Sequence, residues 1–238
     1  MRKLLAICVL VGALLAPMPV AHAATPRFQI RCDSSHVAQV DPIVSPGRVS
    51  AHLHEFFGNT TTNATSTYRS MVRGGTTCSA SGDTAGYWVP TLTTSAGQVI
   101  RAQTILLYYR GEAGARTVAF PPDLRMVSST LSAGVSLSNL IVKFPECWDG
   151  VHTDSADHIS HMAHARGGGC PSSHPVRVPA LTIVARYPLA RLTGLGLSSG
   201  PLASLHADFW NTWDQPTLET LVARCLNASA TSCPRIDG

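Results

Sequence analysis

Five stretches of the chain are rich in β-branched and aromatic residues and are set apart by turn formers: residues 28–32, 87–92, 99–109, 135–144 and 178–187. Pro42, Pro46, Pro90, Pro121, Pro122 and Pro145 punctuate the ends of these runs. A residue without a backbone N–H does least harm to a ladder there. The pattern predicts a mainly β protein, an antiparallel sandwich or jelly-roll-like fold with long polar loops. One short helix is expected near the C-terminus. Asp214 can cap it, Pro216 suits its first turn, and Leu218, Leu221, Val222 and Cys225 recur at i, i+3, i+4 and i+7. A second helix is expected over residues 154–165, where His158, His161 and His164 would share one side before Gly167, Gly168 and Gly169 end it.

The first 23 residues follow another pattern. Arg2 and Lys3 precede an apolar run over residues 4–15, and a small-residue stretch ends in Ala21, His22, Ala23. This is the form of a secretory signal peptide cut after Ala23, and its run is shorter than the roughly 20 residues a membrane span needs. The expected product is a secreted, extracellular monomer, a single domain over residues 24–238, and not an integral membrane protein. Removing the leader discards Cys8 and leaves Cys32, Cys78, Cys147, Cys170, Cys225 and Cys233. An even set outside the cytoplasm implies disulfides, and of the many possible pairings Cys32 with Cys78, Cys147 with Cys170 and Cys225 with Cys233 is the favoured one. The set contains no C-x-x-C pair to favour zinc. Of 18 Lys and Arg, two fall in the leader, so 16 face 14 Asp and Glu. A balance so near neutral excludes an electrostatic nucleic-acid binder.

Against this polar but weakly charged background, histidine and aspartate recur in short pairs. His52 and His54 lie in SAHLHEFFG, and His206 and Asp208 in LHADFW. In extended backbone, residues two apart project to one face. Two such pairs facing each other would offer three nitrogens and one oxygen to zinc, copper or another divalent transition metal. A third cluster, CWDGVHTDSADHISHMAH, holds Asp149, Asp154, Asp157, His158 and His161. A carboxylate beside an imidazole fixes its tautomer and raises its basicity, which makes Asp157, His158 and His161 the candidate catalytic groups. Asp149 before Gly150 also suits a turn, and Asp154 a helix cap. For all these histidines the competing reading is a hydrogen-bonded network that bridges loops and does no chemistry.

Aromatic residues flank the pairs: Phe56 and Phe57, Trp148, then Phe209, Trp210 and Trp213. Aromatic faces beside acidic groups are one way in which proteins hold sugar rings. Trp148, His174 and Trp210 are therefore the candidate substrate contacts, and extracellular polysaccharide the candidate partner. Two functions stay open at this point: a metal-dependent enzyme acting on polysaccharide, and a non-catalytic cell-wall or glycan-binding module.

Taken together, DPIVSPG with SAHLHEFFG, YWVPTL, FPPDLRM, FPECWDG, DHISHMA, CPSSHPVRVP and HADFWNTWD resemble the domain of unknown function 1996 family, in order and spacing, over about residues 28–233. The resemblance implies a secreted protein of the kind found in fungi and actinobacteria, in some cases joined to carbohydrate-binding modules, and names no activity. Its motif positions fall on His52, His54, Asp157, His158, His161, His174, His206 and Asp208. The chain departs from the family pattern at Thr212, where glycine is usual, which puts the geometry of that loop in question.

Overall fold

The computed structural model describes residues 25–128, 133–228 and Cys233; the expected leader lies outside them. In chain order its strands are β1 (Arg27–Cys32), β2 (Ser34–Ala38), β3 (His54–Gly58), β4 (Gly86–Pro90), β5 (Leu92–Thr93), β6 (Val99–Ile100), β7 (Thr104–Arg110) and β8 (Arg125–Ser128). They continue with β9 (Ala133–Ser136), β10 (Asn139–Lys143), β11 (Cys147–Trp148), β12 (Met162–Ala163), β13 (Val176–Arg177), β14 (Ala180–Arg186), β15 (Gly196–Leu197) and β16 (Ala207–Trp210). The α-helices among the described residues are a single turn, α1 (Tyr68–Met71), and α2 (Gln215–Leu221), which a π-helical turn, Val222–Leu226, continues.

Two five-stranded antiparallel sheets, ordered β1-β7-β14-β10-β9 and β2-β3-β4-β16-β8, form a β-sandwich. Every second residue of the first sheet points inward: Phe28 and Ile30, then Ile105, Leu107 and Tyr109, then Leu181 and Ile183. Phe57, Tyr87, Val89, Met126 and Phe209 of the second sheet meet them in one apolar cluster. Each such side chain withdrawn from water contributes on the order of 2 kcal/mol, and the summed burial holds the sheets together. Within this core the Tyr87 hydroxyl donates to the Asp83 carboxyl, and the Trp213 indole N–H donates to the Tyr109 hydroxyl. Desolvation raises the Asp83 pKa well above the ordinary carboxylate range.

The second sheet is covered on both faces. Phe56, Trp88 and Trp210 project away from the sandwich core and pack with Ile43 from the segment before β3 and with Met71 of α1 into a smaller cluster. Consequently β3, β4 and β16 are buried along their whole length. Gly58 closes β3 with φ of +73°, and a Cβ there would stand 2.4 Å from the Ala85 carbonyl oxygen, so no larger residue fits.

The three expected disulfides are present, Cys32–Cys78, Cys147–Cys170 and Cys225–Cys233. The C-terminal helix forms as expected: the Asp214 side chain accepts from Thr217 N–H and a proline occupies its first turn. The second expected helix does not form. Residues 154–161 are turns, with His158 at φ of +58°, because Asp157 accepts the N–H groups of Ile159 and Ser160 that a helix would have used. Thr212, the departure from the family pattern, is accommodated by a reciprocal pair of hydrogen bonds, each hydroxyl of Thr84 and Thr212 donating to the other residue's carbonyl.

Candidate functional site

The two histidine pairs meet on the outward face of the second sheet. His54 opens β3, His52 lies two residues earlier, and His206 immediately precedes β16. In the ladder β3 pairs with β4 and β4 with β16, so residues separated by 154 positions in the chain become neighbours. The ring centroids of His52, His54 and His206 lie 4.4, 5.1 and 5.8 Å apart. One nitrogen of each can be chosen so that all three are within 4.8 Å of one another. His54 is fully buried, whereas His52 and His206 keep part of their surface in solvent.

Backbone carbonyls decide which nitrogen each ring presents. His54 Nδ1 donates to the Val40 carbonyl and His206 Nδ1 to the Ser204 carbonyl, both at 2.9 Å. A carbonyl accepts only, so these rings carry the proton on Nδ1 and turn an Nε2 lone pair into the site. His52 Nε2 stands 3.2 Å from His206 Nε2, and His54 Nε2 is buried without any partner. Two nitrogens bound at about 2.0–2.1 Å to one tetrahedral zinc stand roughly 3.3 Å apart, close to the observed spacing. Burial, with the neighbouring His52, pushes the His54 pKa down to about 3, so the ring is neutral at pH 7 and ready to ligate. The His52 pKa is also lowered, first by burial and then by His206.

Asp208 is as fully enclosed as His54. It lies directly across the ladder from Trp88 and Val127, it is 0% exposed, and neither carboxylate oxygen has a hydrogen-bond partner. Its place is not in the three-histidine group but in a second, overlapping one with His54 and Asp41, all three buried. Burial, and then the charge of Asp41, raise its pKa well above the ordinary range. Asp41 arrives from the segment crossing this face, where its Oδ1 accepts the N–H groups of Ile43 and Val44 at 3.0 Å each. Asp41 was not among the candidates from the sequence. No spacing ties a carboxylate 11 positions before His52 to that histidine, and only its place in the DPIVSPG motif marked it. A third group, Cys32, Cys78 and Asp83, offers no thiolate, because those cysteines form a disulfide.

The middle cluster lies elsewhere, packed on the edge strand β8. Cys147–Cys170 and the pairing of β11 with β12 and β13 close its base. Arg125 N–H donates to the Thr153 carbonyl and Val127 N–H to the His158 carbonyl. Its imidazoles are already engaged. His161 Nε2 donates to the Arg125 carbonyl at 2.7 Å, and its Nδ1 and Asp157 Oδ1 both stand 2.8 Å from Ser155 Oγ, whose single proton can go to either. His158 Nδ1 bonds Asp154, and His152 Nδ1 bonds Asp149. His174 bridges Ser173 and the Ser160 carbonyl. Hydrogen bonds from Ser160, Ser155 and Ile159 hold the exposed Asp157 carboxylate ionised, its pKa well below the usual range. Asp149, His152, Asp154, Ser155, Ala156, Ser160 and His161 line an open depression here. Trp148, partly exposed, donates its indole N–H to the His152 carbonyl. Trp210, by contrast, is only 1% exposed, with its N–H on Asp123 and the Arg125 guanidinium 4.2 Å from its ring centroid; it presents no open face to a sugar.

The family model described as Domain of unknown function (DUF1996) matches residues 41–133 and 132–213. The chain belongs to that family. The DUF1996 match takes in Asp41, the three convergent histidines, Asp208 and the whole middle cluster. No curated protein and no solved structure matches the chain.

Proposed function

We propose that this DUF1996 domain is a secreted metal-dependent enzyme whose His52, His54 and His206 hold one divalent transition ion, zinc or copper, and that it acts on extracellular polysaccharide. One observation carries the metal reading: three imidazoles converge, and backbone carbonyls fix two of them, His54 and His206, in the tautomer that turns an Nε2 lone pair inward. A metal ligand needs this neutral form, oriented by a partner on its other nitrogen. A structural network would have engaged His54 Nε2, because a buried polar atom without a partner costs on the order of 1–3 kcal/mol. Three protein nitrogens would leave a further coordination position, and the partly exposed His52 and His206 would let solvent reach it. When bound, an ion in such an open site would lower the pKa of its water and polarise a substrate oxygen. The three disulfides fit an oxidising compartment, and no helix of the described residues is long and apolar enough to cross a membrane. The polysaccharide part rests on the resemblance noted from the sequence, with Trp148 and His174 as its surface candidates.

The second reading, a glycan-binding module, is favoured by a specific observation. Asp157, His158 and His161, the candidate catalytic groups, are tied into the network that shapes the middle loop. Elemental analysis of protein purified without chelator, followed by zinc titration at neutral pH, separates the readings. The enzyme reading expects at least one equivalent, and loss of turnover on a glycan panel in His54→Ala. Less than about a tenth of an equivalent, with no uptake on titration, leaves the binding module.

A further inference from the structure

Beside the three histidines lies a feature that one ion on their Nε2 atoms leaves unsatisfied. Asp208 is enclosed, and both of its oxygens lack partners. Asp41, 4% exposed, commits Oδ1 to the turn at Ile43 and Val44, and Oδ2 takes no part in that turn. Ligand atoms of Asp41, His54 and Asp208 lie within 4.8 Å of one another. Among the described residues, no Lys or Arg pairs with either carboxylate. Trp88, across the ladder from Asp208, adds a buried indole N–H that also has no acceptor.

Enclosing two carboxylates this close together is costly, and a positive partner offsets that cost. A shared proton meets that need, and so does a cation. A cation has open ligand atoms within reach, because both Asp208 oxygens and His54 Nε2 are buried without a partner. We infer that the pocket takes a second divalent cation, seated on Asp41 and Asp208 beside the three-histidine ion, with His54 between the two positions.

The inference rests on the metal reading of His52, His54 and His206, and adds a second subsite to it. The donor sets differ in kind. Imidazole nitrogens suit zinc or copper, whereas a carboxylate pair suits zinc and the harder manganese(II) and magnesium(II) ions. A pair of ions in a hydrolytic site typically stands about 3.5–4 Å apart and would stabilise both the attacking and the leaving oxygen of a displacement.

The test is a stoichiometry. Full-length protein is stripped with chelator and loaded with zinc(II) alone at pH 7.5; free ion is removed and bound zinc is counted, with circular dichroism verifying the fold of each variant. Wild type should hold two equivalents, and Asp208→Asn and His206→Ala one each. Asp41→Asn, which keeps an acceptor oxygen for the Ile43 and Val44 N–H groups, should also hold one, and serves where Asp208→Asn does not fold. A single equivalent in wild type that persists in both aspartate variants and vanishes in His206→Ala overturns the second ion while leaving the first. No zinc in wild type overturns both.

Discussion

Two histidine-rich regions of this molecule use the same residue types to opposite ends. In the middle loop each imidazole is engaged: His161 spans the Arg125 carbonyl and Ser155, His174 spans Ser173 and the Ser160 carbonyl, and His158 leans on Asp154. On the outer face of the second sheet, backbone carbonyls occupy only the far nitrogens of His54 and His206; the near nitrogen of His206 meets His52 Nε2, and that of His54 has no partner. The loop contains more aspartate, and on composition alone it would be the better candidate for a site. What separates the regions is whether local partners are on hand. Residues 149–161 are a run of turns, in which Asp and Ser side chains reach their own neighbours. Strand backbone sends alternate side chains straight out from the sheet, where only the covering segment can meet them.

That contrast can be broken most forcefully through metal affinity. His54→Ala and His206→Ala should each weaken zinc binding at least about 100-fold, near 3 kcal/mol at 1.4 kcal/mol per decade. His158→Ala and His161→Ala should change it less than about threefold, as read by competition with a chromophoric chelator. Equal losses in the two regions would erase the distinction.

The pH dependence of stability gives a comparable effect. The His54 pKa falls from 6.5 in the unfolded chain to about 3 in the folded one. Between those limits the unfolded chain carries the extra proton, so the contribution of His54 is full above pH 6.5 and is lost as pH falls toward 3. Denaturant titrations of chelator-treated protein should show wild type losing a few kcal/mol more over this window than His54→Gln. Parallel curves would mean that the ring is not held neutral.

In the middle loop the expected losses are of stability. Replacing Cys147 and Cys170 by alanine opens a closure of 23 residues and should cost about 3 kcal/mol with zinc affinity retained. Smaller again, His161→Ala removes a buried ring bonded at both nitrogens and should cost about 2 kcal/mol in thermal or chemical unfolding. A loss of zinc from either variant would place the loop in the site.

How much of this was legible in the chain depended on how many faces of each element are buried. β1, β7 and β14 show apolar residues at every second position, and their runs announced them as strands. β3, β4 and β16 are enclosed on both faces and show no alternation; the aromatic and β-branched run of β4 still announced it, whereas HEFFG and ADFW, interrupted by His54, Glu55 and Asp208, were not foreseen. The terminal helix was legible from Asp214 and Pro216. The false helix at 154–165 had the right histidine spacing but carried Asp157, whose carboxylate captures the local N–H groups. At the site, the H-x-H and H-x-D spacing exposed His52, His54 and His206 because strand geometry has a period of two. Asp41 left no such trace, since it reaches His54 through a loop that folds back across the sheet. Trp210 was offered as a sugar platform, and a sequence does not reveal that a second layer covers the outer face.

The most direct test of the three-histidine site is a long-range proton–nitrogen spectrum of the imidazole side chains, recorded before and after adding zinc(II) to chelator-treated protein at neutral pH. The account predicts that the Nε2 signals of His52, His54 and His206 shift while the Nδ1 protons of His54 and His206 remain, and that His158, His161 and His174 are unmoved. Three unmoved site histidines, or shifts confined to the middle loop, would contradict it.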